Sequence, residues 1–236
     1  MALKIINFDV IEKTKQKHHW LLPSSIRSII FGPSGCGKTN LMLNILCQKG
    51  VLNYDRLYIY SKSLGQEKYE FLRKYFDALA KESKQQIAYF YSNSDDIIPP
   101  EKLDKKLSNV VVFDDVMLEK QDVIEKFFAQ GRHNNADCFY LCQSFFRIPK
   151  QVVRDNANMI IIFKQDSRNL SMIYNAYVGG DMLIEEFKKF YSKCISEPYG
   201  FCVIDNTSQP YDGKYRSQFD TFYIPESYSK LSESSN

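Results

Sequence analysis

Lys38 and Thr39 close the stretch "GPSGCGKT", in which Gly32, Pro33, Ser34, Gly35, Cys36, Gly37, Lys38 and Thr39 fit the spacing G-x-x-x-x-G-K-[ST]. Glycines at such positions let backbone N–H groups curl around phosphates, a lysine reaches the terminal ones, and the hydroxyl can hold Mg2+. Asn40, next in the chain, is counted with the candidate nucleotide contacts. A second group of oxygens stands in "NVVVFDDVM", where Asp114 and Asp115 end an apolar run. Asp114 is the candidate metal ligand beside Thr39, and Asp115 the candidate base that orients or deprotonates water. Gln143 ends "CFYLCQ", a polar residue at the tip of an otherwise apolar pattern. Burying its amide in a core strand would need a partner, and a γ-phosphate or its water is one.

These residues need elements to position them. Ser28 to Phe31 reads as a buried strand, and Asn40 to Gln48 repeats apolar residues (Leu41, Ile45) at helical spacing before Lys49-Gly50. Strand, glycine loop and helix thus follow in the order a phosphate cradle requires, with a helix N-terminus facing the anion. Val110 to Phe113 is a second buried strand; carboxylates at the carboxyl end of a parallel strand face the crevice where open α/β sheets bind ligands. An amphipathic stretch, Gln121 to Gln130, is closed by "GRHNN". After Gln143 come "MIIIF", two helical stretches and "YGFCVID", which continue the α/β alternation.

The 236 residues suit one α/β domain with a sizeable core, and 44% hydrophobic with 25% charged residues excludes a disordered chain. The single domain is expected over residues 1–225, with a lead-in of about 1–25 and a polar, disordered tail at 226–236. A formal charge of +3 is compatible with a basic patch but does not name a partner. No apolar run reaches membrane-spanning length, and "MALKIINFDVIEKTKQ" carries charges where a signal peptide needs an apolar block, so a soluble, intracellular protein is expected. The six cysteines have poor metal-ligand spacing; Cys138 and Cys142, alternating with Tyr140, read as buried thiols. His18-His19 reads as part of a solvated lead-in.

"GPSGCGKT", "VVVFDD", "GRHNN", "YLCQSFFRIPK" and "NANMIIIFK", in that order, make the chain resemble the FtsK–HerA superfamily, and within it the poxvirus-type genome-packaging ATPases of large DNA viruses, virophages and Polinton-like elements. The resemblance implies an α/β, RecA-like (ASCE) P-loop NTPase fold, with a mainly parallel central sheet flanked by helices. In it, the strand ending at Gln143 lies between the strand before the glycine loop and the one ending at Asp115. It also implies ATP and Mg2+ as cofactors and a homo-oligomeric ring of five or six subunits. The partners it implies are double-stranded DNA and a capsid or procapsid vertex, in the host cytoplasm. Many such motors carry Glu where this chain has Asp115, so the reach to the water is shorter here. Arg132 of "GRH" stands where these motors and their conjugation relatives carry an arginine finger that acts on the neighbouring subunit's ATP; Arg147 and Arg154 are reserves. Arg132 is expected at the end of the helix between the Asp115 and Gln143 strands, projecting from the sheet edge. Backbone-directed DNA contacts are expected among Lys62, Lys68, Arg73, Lys74, Arg147, Lys150 and Arg154.

Two other readings use the same cradle. A P-loop nucleotide or nucleoside kinase would pass phosphate to a small acceptor, but Asp114-Asp115 and Gln143 sit poorly with it and the chain shows no arginine-rich lid. A nucleotide-gated scaffold with little turnover is the third; its GTPase form would need N-K-x-D, which does not occur.

Overall fold

In a computed structural model, the described residues are 16–229. Most of the expected lead-in (1–15) and of the expected tail (230–236) lies outside them. Among the described residues, nine strands form one sheet: β1 Arg27–Phe31, β2 Arg56–Ser61, β3 Ala88–Tyr91, β4 Asn109–Asp114, β5 Ala136–Cys142, β6 Met159–Ile162, β7 Cys202–Asp205, β8 Tyr215–Ser217 and β9 Thr221–Tyr223. Their order is β3-β2-β4-β5-β1-β6-β7-β8-β9. The pairs from β3 through β6 are parallel, and β7, β8 and β9 add an antiparallel extension. β5 therefore lies between β1 and β4, with Tyr140 beside Ile29 on one side and Phe113 on the other.

The apolar run in β4 is continuous because both sheet faces are covered, the condition under which parallel strands lose alternation. Val110 and Val112 enter one apolar layer, while Val111 and Phe113 enter the other. The first layer is sealed by α1 (Lys38–Cys47) and α2 (Glu67–Ser83), through residues such as Met42, Ile45, Tyr69 and Leu72. The second is sealed by α3 (Asp122–Gln130), α4 (Ser167–Tyr177) and α5 (Ile184–Cys194), through Phe127, Ile173 and Phe187. Phe127 meets Phe113 edge-on at 5.5 Å between ring centres. Truncating such a buried ring costs about 3–5 kcal/mol. Cys138 and Cys142 are buried free thiols on the same face as Tyr140, as the alternation indicated.

Three features depart from the sequence reading. His18 is not solvated: it is 4% exposed, its Nε2 is 3.0 Å from Asp137 Oδ2, and its Nδ1 accepts from the Asn53 N–H. Lys17 donates to the same carboxylate, and Asp137 Oδ1 accepts from the Ile26 N–H at 2.7 Å. The lead-in is thus latched onto the start of β5. The β8–β9 hairpin was not foreseen, since each strand has only three residues and no two-residue glycine turn marks it. Glu226–Tyr228 forms a 3-10 turn whose Glu226 N–H donates to Glu186, so the start of the expected tail is ordered.

Candidate nucleotide site

The glycine loop runs from the end of β1 into α1. Gly37 has φ of +113°, and a Cβ there would meet the rings of Phe163 and Tyr199 at 3.3 Å. The torsion calls for glycine, and a side chain would also have to push these rings by a few tenths of an ångström. Gly32 is confined by space alone and more tightly, with a Cβ position 2.6 Å from Phe163 Cβ and Cys36 Sγ. Lys38 is the first residue of α1 and nearly buried; its ammonium donates to the carbonyls of Gly32 (2.7 Å) and Pro33 (3.0 Å). The charge is held above the loop by its own backbone, partners that a phosphate group can displace.

β4 delivers the carboxylates. Asp114 is buried and accepts from Thr39 Oγ1 at 3.3 Å and from the Tyr69 hydroxyl, both on Oδ2. Burial pushes the Asp114 carboxyl above its ordinary value, against the Tyr69 hydrogen bond and the Lys38 charge, which pull it down. The Tyr69 phenol is pushed far up by burial and by Asp114, so it stays a donor. Asp115 is exposed, has φ of +57°, and accepts from Ser63 Oγ at 2.6 Å. Asp is among the residues that tolerate this left-handed region, because a short polar side chain can bond locally. The turn swings the carboxylate away from Asp114 and into the open part of the site.

Ser34, Gly35, Gly37, Lys38, Thr39, Asp114, Asp115 and Gln143 line one cavity of about 340 Å3, joined by Ser63, Gln66, Lys68 and Met117. Gln143 is not buried in the strand: it is the residue just past β5, exposed, with its side chain on this cavity. Gly32, Pro33 and Cys36 do not line this cavity: the Gly32 and Pro33 carbonyls accept from Lys38, Pro33 and Cys36 line a separate cavity, and Asn40 lines a neighbouring one. Thr39 and Asp114 offer two hard oxygens side by side, the donor type and number that fit Mg2+ shared with phosphates and water.

Arg132 does not join this group. It lies in the 3-10 turn Gly131–Asn134, just before β5, hence at the amino end of the strand whose carboxyl end carries Gln143. The expectation that it projects from a sheet edge is not met, because β5 is interior; its exposed guanidinium lies beside the His133 ring at 3.4 Å. Among the expected DNA contacts, Lys68 lines the nucleotide cavity instead, Lys62 pairs with Glu119 at 3.3 Å, and Arg73 and Arg154 lie over Phe90 and Phe145. Lys74, Arg147 and Lys150 are exposed.

Sequence reasoning missed Ser63, Gln66 and Tyr69. All come from the turn after β2 and the start of α2, which match no motif; the available signal was that β2 adjoins β4, so its loop must overhang the same crevice.

A glycine cradle at the end of β1, paired acids at the end of β4 and a polar residue past the strand between them define a P-loop NTPase of RecA-like fold. The chain matches the family described as Poxvirus A32 protein over residues 13–205, and it belongs to that family. Among solved structures it is similar to the genome packaging NTPase B204 of Sulfolobus turreted icosahedral virus 2. The sulfate complex is 19% identical with a TM-score of 0.54, covering 78% of this chain and 92% of that one. The ATP-gammaS complex is 18% identical with a TM-score of 0.53, covering 78% and 93%. B204 of Sulfolobus turreted icosahedral virus, described as a DNA-packaging ATPase, is 18% identical with a TM-score of 0.53, covering 76% and 92%. These likenesses carry the fold. No match is found among curated proteins. Among the described residues, no helix is long and apolar enough to cross a membrane.

Proposed function

We propose that this chain is an ATP-hydrolysing motor that drives double-stranded DNA into a viral capsid. The observation that carries this reading is the convergence of Lys38, Thr39, Asp114, Asp115 and Gln143, from three adjacent strands, on one cavity. Membership of the poxvirus A32 family, and a fold shared with packaging NTPases solved with AMP, AMPPCP and ATP-gammaS, support it.

Lys38 exchanges the Gly32 and Pro33 carbonyls for the β- and γ-phosphates, where negative charge builds. Thr39 and Asp114 would hold Mg2+, which when bound neutralises phosphate charge. Asp115, steadied by Ser63, orients the attacking water, and Gln143 senses the γ-phosphate from β5. A transfer to a small acceptor would leave the second carboxylate and the glutamine without work, which disfavours the kinase reading. Arg132 serves a neighbouring subunit: its position at the far end of the strands keeps it from its own site, and guanidinium can bridge two phosphate oxygens. That role requires a ring, whose DNA channel is gripped through backbone charge by Lys74, Arg147 and Lys150. The ring docks on a capsid vertex in the host cytoplasm.

Mg2+-dependent ATP hydrolysis is measured with and without double-stranded DNA. Stimulation by DNA of any sequence, weakened by salt, supports the motor; turnover only with a small acceptor, or none at all, rejects it. Mixing two dead proteins, Lys38→Ala and Arg132→Ala, should restore part of the activity at mixed interfaces. An active Arg132→Ala protein, or mixed rings without recovery, would remove the finger.

A further inference from the structure

We infer that the nucleobase is stacked on Tyr199, in a groove between the first turns of α1 and the loop that follows α5; the assignment rests on the nucleotide reading of the site. A second cavity, of about 440 Å3, adjoins the phosphate cavity and shares Gly35, Gly37 and Lys68 with it. Its floor is aromatic: Phe163 and Phe201 are buried with ring centres 5.3 Å apart. Its wall is Tyr199, which is 72% exposed although its ring lies against Gly37. Along its other side lie exposed Asn40 and Asn44, one helical turn apart on α1; the Asn44 amide donates to the Asn40 carbonyl at 2.8 Å and accepts from Gln48.

Tyr199 is held in this place at a cost. Its φ is +62°, a region that bulky side chains avoid and that persists only where the surroundings impose it. The next residue is closely packed: its N–H donates to the Glu197 carbonyl at 3.0 Å, and a Cβ on Gly200 would lie 2.3 Å from the Cys194 carbonyl oxygen, so the main chain of the loop sits tight against the end of α5. A strained backbone that keeps a tyrosine ring largely in solvent, covering only the Gly37 turn of the cradle, buries little apolar surface. It does supply a flat, pre-ordered face for a base, with the exposed Asn40 amide at hand for its polar edge. The phosphate chain, leaving the cradle past Thr39, reaches Asn40 and enters this groove.

A competing groove between α1 and α2 holds exposed Phe71 but touches no glycine of the cradle, and Glu67 places a carboxylate in it. The glycine contact favours the Tyr199 side.

The test separates base from phosphate recognition. For Tyr199→Ala, KM for ATP should rise about tenfold with kcat unchanged, the loss of one base–aromatic stack. Tyr199→Phe should bind ATP like the unmodified protein. The inhibition constant of inorganic triphosphate, which has the phosphates but no base, should not move in either variant. Calorimetric binding of AMPPCP runs in parallel, so a protein that fails to hydrolyse ATP condemns the motor reading while the base contact is still measured. Unchanged ATP affinity in Tyr199→Ala, equal losses for ATP and inorganic triphosphate, or the same loss in Phe71→Ala would overturn the assignment.

Discussion

At the carboxyl ends of β1, β4 and β5 the polar side chains hold partners they can exchange, whereas at the amino ends of β1 and β5 they hold partners they cannot. Lys38 rests on two carbonyls of its own loop, and Asp115 on one serine hydroxyl at the surface. At the other end, Asp137 is shared by His18, Lys17 and the Ile26 N–H, and Asn158 bonds both the Arg27 N–H and the Ser25 carbonyl. Those partners come from segments far apart in the chain, so the contacts form only when the whole sheet is assembled. The difference teaches that similar residue types can store readiness at one end of a strand and rigidity at the other. Changes at the upper end should remove turnover and spare stability; changes at the lower end should do the reverse.

The largest effect is expected from Lys38→Ala, which should lower ATP turnover by about a thousandfold or more while the melting temperature stays near that of the unmodified protein. A large fall in melting temperature would blur the contrast. Next, Asp115→Asn should lose about a hundredfold or more in kcat while still binding ATP and Mg2+, whereas Asp114→Asn should raise the Mg2+ concentration needed for activity. Equal binding defects in both would merge the two roles. At the lower end, Asp137→Ala strands a buried histidine and an amide N–H, and should cost about 3 kcal/mol of unfolding free energy with kcat unaffected at low temperature. Denaturant titration and turnover on the same sample would check both halves.

The latch also predicts an acid response. Burial pushes the Asp137 carboxyl up, but His18 and Lys17 outweigh it and hold the group below its ordinary value. Its stabilising contribution is therefore complete above about pH 4, the unfolded value, and is lost as pH falls through the lowered folded value. Stability of Asp137→Ala should vary less over that acid window than that of the unmodified protein. The smallest effect belongs to Ser63→Ala, which removes one exposed hydrogen bond to Asp115 and should lower kcat about threefold to tenfold.

How much of this was legible beforehand follows from where the information sits. The cradle was legible because its glycines answer to local torsion and its lysine and threonine are adjacent in the chain. Asp114 and Asp115 were legible because a buried apolar run must end where the carboxylates begin. Tyr69 was not: on sequence it is one apolar position of α2, and only the packing of α2 over β4 brings its hydroxyl to Asp114. His18 was misread because a histidine pair among lysines looks solvated, and its partner lies 119 residues away. Arg132 lies where it was expected, at the end of the helix between the Asp115 and Gln143 strands; only its projection from a sheet edge fails, because the strand it precedes is interior.

The left-handed torsion at Asp115 constrains what evolution and the bench can put there. Glutamate, the residue many related motors use, carries an extra methylene and bonds its own backbone less readily, so a direct exchange would have to move the loop as well. Asparagine suffers no such penalty, being at home in that region. The one substitution that should silence the carboxylate is thus also the one the main chain accepts with least disturbance. On the proposed function, Asp115→Asn is accordingly the variant expected to hold ATP bound and unspent, which a binding assay run beside a turnover assay would check.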